Sequence, residues 1–136
     1  EVMKYTGESG PESIAAAREA ILAYPDFDEV GYGRWACHLK AENRIIGFCG
    51  LKYLKDLQEV DLGYRFLPEY WGIGLATETS LAVINFGLTT LSLNRIIGLV
   101  LPENVASVRV LEKCGMRFEQ EFTYDDQKAL LYAIEK

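Results

Sequence analysis

The chain holds one histidine, His38, and three cysteines, Cys37, Cys49 and Cys114, in 136 residues. With no second histidine and no CxxC pair, nothing in the sequence assembles a structural zinc site, and no metal is expected. Three isolated cysteines do not make a disulfide framework. Cys37 and Cys49 fall in strand-like segments, where a buried cysteine serves as a small hydrophobe. Cys37 and His38 are neighbours in such a segment and point to opposite faces, which argues against a thiol–imidazole nucleophile. Basic tracts are also missing. The net charge is −6, and without clustered Lys and Arg to displace phosphate counterions nucleic acid is not an expected partner. No apolar run reaches the roughly 18 residues that span a bilayer, so no membrane partner is expected. No basic stretch followed by an apolar segment opens the chain, and a cytoplasmic location is the default expectation.

What remains is the composition of a globular protein, 49% hydrophobic and 25% charged, with a length that fits one domain, residues 1–136, over one core. An acidic balance favours a cationic substrate such as a polyamine or a basic protein N-terminus, although acidic chains also carry such charge for solubility alone.

Residues 1–10 read as a polar loop, with Pro11 in the first turn of a helix. Ile14, Ala17, Ile21 and Tyr24 then recur at helical spacing until Pro25 ends the pattern. Residues 26–33 read as a loop. Trp35–Leu39 and Ile45–Leu54 form a hairpin around Ala41-Glu42-Asn43. Glu59–Phe66 alternates, with Val60, Leu62, Tyr64 and Phe66 on one face and Glu59, Asp61, Gly63 and Arg65 on the other. Pro68 stops that strand. A helix is expected from Leu75 to about Thr89, a strand over Arg95–Leu101, a helix over Asn104–Cys114 closed by Gly115, and a final hairpin over Phe118–Thr123 and Ala129–Ile134. The order implies an α/β (α+β) fold: a mixed, mostly antiparallel, twisted sheet with helices on both faces and a crossover between two parallel strands.

Two segments carry chemistry. In Phe66-Leu67-Pro68-Glu69-Tyr70-Trp71-Gly72-Ile73-Gly74-Leu75-Ala76-Thr77-Glu78 a strand ends, a glycine turn follows and a helix begins. Free N–H groups at a positive helix end attract an anion, and glycines let a pyrophosphate approach the backbone. A tight turn without a ligand explains the same glycines. No Gly-Lys-Ser/Thr follows, which excludes a Walker loop, and the third glycine of a dinucleotide fingerprint is absent. In Asn104-Val105-Ala106-Ser107 through Cys114-Gly115, Asn104 reads as a helix cap and Gly115 as its stop. The alternative is that the Asn104 amide and the Ser107 hydroxyl, at an exposed helix start, bond a ligand.

Together the two segments resemble the GNAT superfamily of N-acetyltransferases, and most of all its ribosomal-protein and spermidine (Rim-type) branch. Pro68 to Glu78 matches the branch pattern Pro-x-Tyr-Trp-Gly-x-Gly-x-Ala-Thr-Glu, and Asn104 to Gly115 matches Asn-x-x-Ser-x-x-x-Leu-Glu-Lys-x-Gly. The resemblance covers nearly the whole chain. It departs at Glu69, where the wider superfamily has Gln or Arg, and at the start, where the family's first strand and helix are expected to be missing.

The resemblance implies acetyl-CoA as cosubstrate and a primary amine as acceptor, a small molecule, a polyamine or a protein N-terminus. The enzyme would act as a monomer or a homodimer. It implies that N–H groups of Trp71, Gly72, Ile73, Gly74, Leu75 and Ala76 cradle the pyrophosphate, aided by the Thr77 hydroxyl. Backbone at Phe66 and Leu67 would pair with pantetheine in a gap between strands, and Asn104 would contact it too. Ser107, or a tyrosine, would protonate the leaving thiolate. Asp61, then Glu59, would be the base, although both also read as solvated strand residues. Trp35, Tyr53 and Tyr64 read as core or edge residues. A non-catalytic acyl-CoA-binding sensor or interaction module would keep the glycines and Asn104 without needing Asp61 or Ser107.

Overall fold

A computed structural model describes residues 1–6, 10, 11 and 13–136. Part of the expected first loop, residues 7–9, and residue 12 lie outside the described residues. The elements are α1 (Ile14–Leu22), α2 (Asp26–Val30), β1 (Arg34–Leu39), β2 (Arg44–Leu54), β3 (Glu59–Phe66), a single 3-10 turn (Pro68–Tyr70), α3 (Leu75–Thr89), β4 (Arg95–Val100), α4 (Val105–Lys113), β5 (Arg117–Tyr124) and β6 (Gln127–Glu135). Helix α1 starts later than Pro11 implied, because the Ser13 side chain accepts from Ala16 N–H and caps it there. The segment 26–33, read as loop, contains the one-turn helix α2. Pro25 precedes it and Gly31, at φ +79°, closes it in the left-handed region.

Six strands form one sheet in the order β1-β2-β3-β4-β6-β5. Every neighbouring pair is antiparallel except β3 and β4. Strands β2 and β3 pair along their length, from Leu54↔Glu59 to Gly47↔Phe66. Strands β3 and β4 share one register pair, Asp61↔Ile97, and then part.

The inward face of β2 and β3 carries Cys49, Leu51, Val60 and Leu62, which pack with Ile84 of α3, Leu111 of α4 and Val30 of α2 in one core. Gly98 lets α4 close on β4, since a Cβ there would lie 2.9 Å from Leu111 Cδ2. The packed helices α2, α3 and α4 thus share a face instead of dividing between two. The physical reason is the opposite face of β2 and β3, where Lys52 stands in register with Asp61 and Phe48 with Arg65, and the charged side chains leave no continuous apolar seat for a helix. Helix α1 buries none of its residues, and Ile14, Ile21 and Leu22 are exposed. Among the described residues no helix is long and apolar enough to cross a membrane, which says nothing of strands.

Candidate active site

The parting of β3 and β4 opens a cleft of about 580 Å³. Its floor starts at Asp61, its upper walls are the loop 70–77 and the start of α4, and Arg34, Phe48 and residues 1, 2, 5 and 6 border the far side.

The loop is built as its glycines require. Gly72 and Gly74 adopt φ +74° and +88°, a region where a side chain is strained. No side chain caps α3 at Gly74, so N–H groups of its first turn, at Leu75, Ala76 and Thr77, keep their positive end for an external acceptor. Trp71, Gly72, Ile73 and Gly74 are exposed, and Leu75, Ala76 and Thr77 half-buried. Arg109 and Lys113, one turn apart on α4, line the same cleft. The sequence reading gave these two cations no role. Their one-turn spacing on the helix that begins after Asn104 was the available signal. A helix start, two glycines and two cations make a site for a polyanion such as a pyrophosphate.

Trp71 also ties the loop to the strand: its Nε1–H donates to the Phe66 carbonyl at 2.8 Å. Leu67 N–H donates to Ile46 O at 2.9 Å, and Leu67 O accepts from Tyr70 N–H at 2.9 Å. The donor expected to bond pantetheine from Leu67 is therefore already engaged with β2. Because backbone groups alternate between a strand's edges, the Phe66 N–H faces the cleft side. Of the pair named from sequence, Phe66 alone keeps a donor on the open edge.

Asp61 is not a solvated strand residue. It is 9% exposed and sits at the last point where β3 and β4 pair. Past that point Leu99 N–H donates to Asp61 Oδ1 at 3.2 Å, so the carboxylate takes a donor that the parting strand leaves behind. Arg34 Nη2 lies 3.7 Å from Oδ2. Burial pushes the carboxyl up from 3.8 to about 7, while Arg34, the Leu99 N–H and Lys52 pull it down. Glu59 does not share this site. It pairs with Arg95 at 3.0 Å, and Arg95 also holds Glu119 and Glu135, all at the closed end of the parallel pair. The two acids read as alternates thus part company: one forms the root of the cleft and the other is committed to a surface ion-pair cluster.

Tyr64 donates its hydroxyl to Ser107 Oγ at 2.9 Å. Ser107 N–H in turn donates to Asn104 Oδ1 at 3.2 Å, the cap of α4. Capping pins the Asn104 amide and leaves its NH₂ to donate. The Ser107 hydroxyl accepts from Tyr64 and keeps its own proton to give. Burial pushes the Tyr64 phenol up to about 12, partly offset by the Ser107 bond, so it is protonated at neutral pH. Tyr64 was read from sequence as a core residue; its inward position in the alternation hid a polar end that reaches across the cleft. Trp35 does belong to the core edge, stacked edge-on between Phe27 and Phe86, and Tyr53 packs against the core. Cys37 and His38 form no catalytic pair. His38 Nε2 bonds Asn43 Oδ1 at 3.0 Å, and burial pushes the Cys37 thiol up to about 11, which suppresses its thiolate.

Residues 1–117 match the acetyltransferase (GNAT) domain family. The uncharacterised N-acetyltransferase YnaD of Bacillus subtilis is 40% identical over 127 residues, spanning 89% of this chain and 74% of that protein. A GNAT-family acetyltransferase structure from Bacillus anthracis superposes with a TM-score of 0.80 at 29% identity, over 98% of this chain and 81% of that one. The spermidine N-acetyltransferase of Vibrio cholerae, solved with CoA and spermine, superposes with a TM-score of 0.79 over 98% of this chain and 82% of that one. At 22% identity it is a likeness of fold. The chain belongs to the GNAT acetyltransferase family. It is an acetyl-CoA-dependent N-acetyltransferase, and these relatives do not favour a non-catalytic sensor.

Proposed function

We propose that this enzyme transfers the acetyl group of acetyl-CoA directly to a primary amine, with Asp61 as base and the Ser107–Tyr64 pair as acid. The observation that carries the reading is the buried Asp61 carboxyl, held near neutrality at the root of the same cleft that Ser107 lines. An ammonium must lose a proton before its nitrogen can attack. A carboxylate titrating at about 7 is half ionised at neutral pH and takes that proton, directly or through one water. The nitrogen attacks the thioester carbon and the carbon–sulfur bond breaks. The Ser107 hydroxyl protonates the leaving thiolate and takes a proton from Tyr64, its donor at 2.9 Å. The second proton that the attacking nitrogen sheds as the amide forms returns through water to Tyr64. The Phe66 N–H, on the open edge of β3, is the donor for the oxygen as charge develops. Trp71 to Ala76 and the Thr77 hydroxyl, with Arg109 and Lys113, take the pyrophosphate, and the Asn104 NH₂ takes a pantetheine carbonyl. No covalent acyl-enzyme is formed.

In this reading residues 1–136 act as one domain, and the enzyme works in the cytoplasm on a small amine and not on nucleic acid. The motif match at Pro68–Glu78 and Asn104–Gly115 supports the Rim-type branch. A panel of primary amines, assayed with acetyl-CoA by release of free thiol, tests the reading. Turnover of at least one amine that falls steeply in Asp61→Asn is expected. Coenzyme binding without thiol release on any amine would remove the catalytic assignment.

A further inference from the structure

Arg34 crosses the sheet from the edge strand to the root of the cleft. It is in register with Gly50, and Gly50 with Gly63, so the side chain runs over a row that carries no side chain of its own. A Cβ on Gly63 would lie 2.6 Å from Arg34 Nη2. The absence of that carbon is what lets the guanidinium lie flat against β3. Its Cζ sits 5.6 Å from the Phe48 ring centroid, a second surface that fixes its plane. The group borders the cleft beside Asp61.

The guanidinium is held in place but poorly partnered. Its Nε is buried and has no hydrogen-bond partner. Its ion-pair partner, Asp61 Oδ2, is at 3.7 Å, beyond hydrogen-bond reach. A planar guanidinium that borders the cleft, with Asp61 as a loose ion-pair partner at 3.7 Å, recognises a carboxylate or another oxyanion well through its Nη N–H groups, and recognises an ammonium not at all.

We infer that Arg34 is a specificity determinant of the acceptor site, and that the acceptor is an amine carrying a carboxylate on the carbon next to its nitrogen, as in an α-amino acid. The inference rests on the acetyl-transfer reading above. The spacing supports it. Two covalent bonds separate the nitrogen of such an amine from its carboxyl carbon, so nitrogen and carboxylate oxygen lie about 3 Å apart. Asp61 Oδ2 and Arg34 Nη2 lie 3.7 Å apart. The amine can thus meet the base while its carboxylate meets the guanidinium. A polyamine brings only donors to the Arg34 fork. The net charge of −6, which favours a cationic substrate in the bulk, is outweighed locally by a cation beside the reacting centre.

The test compares an α-amino acid with its methyl ester, and both with spermidine, as acceptors for the full chain and for Arg34→Gln and Arg34→Lys. Comparing acid with ester within each variant cancels any effect of Arg34 on Asp61. The unsubstituted chain is expected to prefer the acid over the ester by roughly tenfold or more in kcat/KM. Arg34→Gln erases the preference through KM for the acid, and Arg34→Lys keeps part of it. Spermidine as the best acceptor, or an acid-to-ester ratio unchanged in Arg34→Gln, overturns the inference while leaving the transferase reading intact. Calorimetry of the N-acetyl amino acid in the presence of CoA supplies a readout free of turnover. Binding that is lost in Arg34→Gln and kept in Arg34→Lys supports the site even if no amine is acetylated, the result that would remove the transferase reading instead. No binding to the unsubstituted chain overturns the site.

Discussion

Replacing Asp61 by Asn removes a buried charge from the root of the cleft, and the consequences for stability and rate have opposite signs. Raising a carboxyl from 3.8 to about 7 corresponds, at about 1.4 kcal/mol per pH unit, to about 4 kcal/mol of disfavour for the ionised form in the folded state. The folded pKa lies above the unfolded one. The protonated carboxyl therefore stabilises the fold fully below the unfolded value, and that stabilisation is lost as pH rises through about 7. From about pH 5 to about pH 8 the native chain should lose about 2.5 kcal/mol relative to Asp61→Asn, whose side chain does not titrate. Urea unfolding of both chains across that range, with matched m-values, measures the difference. In the same range kcat/KM of the native enzyme should rise with an apparent pKa near 7 and level off, because the ionised form is the base. The variant should lose that limb together with most of its rate. A stability difference that stays flat with pH would refute the burial argument. A rising limb retained in Asp61→Asn would refute the base assignment even if the stability result held.

Three further outcomes follow from the geometry. Tyr64→Phe breaks the bond to Ser107 Oγ and should lower kcat on the order of 10²-fold with coenzyme affinity little changed, as read by steady-state kinetics and calorimetry; an unchanged kcat would take Tyr64 out of the proton path. Gly74→Ala puts a side chain at φ +88° and should cost about 1–2 kcal/mol in thermal unfolding while weakening CoA binding, since the loop N–H groups can no longer hold their orientation; tight binding in this variant would show that the loop is not the phosphate cradle. Gly87→Ala places a Cβ 2.7 Å from Ile96 Cδ1 and 3.1 Å from Leu51 Cδ1, so a lowered Tm worth about 1–2 kcal/mol is expected, with overpacking exceeding the helix-propensity gain; a raised Tm would mean that those side chains yield.

Much of the fold was legible because its signals are local. The alternation of β3, the glycines of the loop, Asn104 before α4 and Gly115 after it each announce their own structure. Helix α2 was missed because one turn is too short to show a period, and the start of α1 was misplaced because Ser13 makes a better cap than Pro11 makes a first turn. The site was legible only in part, for reasons that lie between strands. Asp61 and Glu59 are equivalent in the alternation. They differ because β3 leaves β4 at Asp61, so one acid inherits the Leu99 N–H and the other meets Arg95. Nothing in the local sequence marks where two strands part. Tyr64 was hidden for a related reason: its ring belongs with the inward residues, and its hydroxyl finds Ser107 43 positions away. The Arg34 path over Gly63 needs three strands in register before it exists at all.

The Arg95 cluster sets the mechanics of the cleft. Arg95 is the first residue of β4 and reaches carboxylates on β3, β5 and β6. It clamps four strands together at the end where the parallel pair is closed. The gap above therefore behaves like a peg sprung from one side, with its jaws at the loop 67–74 on one arm and the start of α4 on the other. A bulky arm entering between the jaws cannot be accommodated by sliding β3 along β4, because that motion would pull Glu59 away from Arg95. The strain is taken at the tip of the loop arm, by the Trp71 tether to the Phe66 carbonyl. The loop assigned to the coenzyme is thus the part that yields first when it enters, while the acid at the root keeps its place.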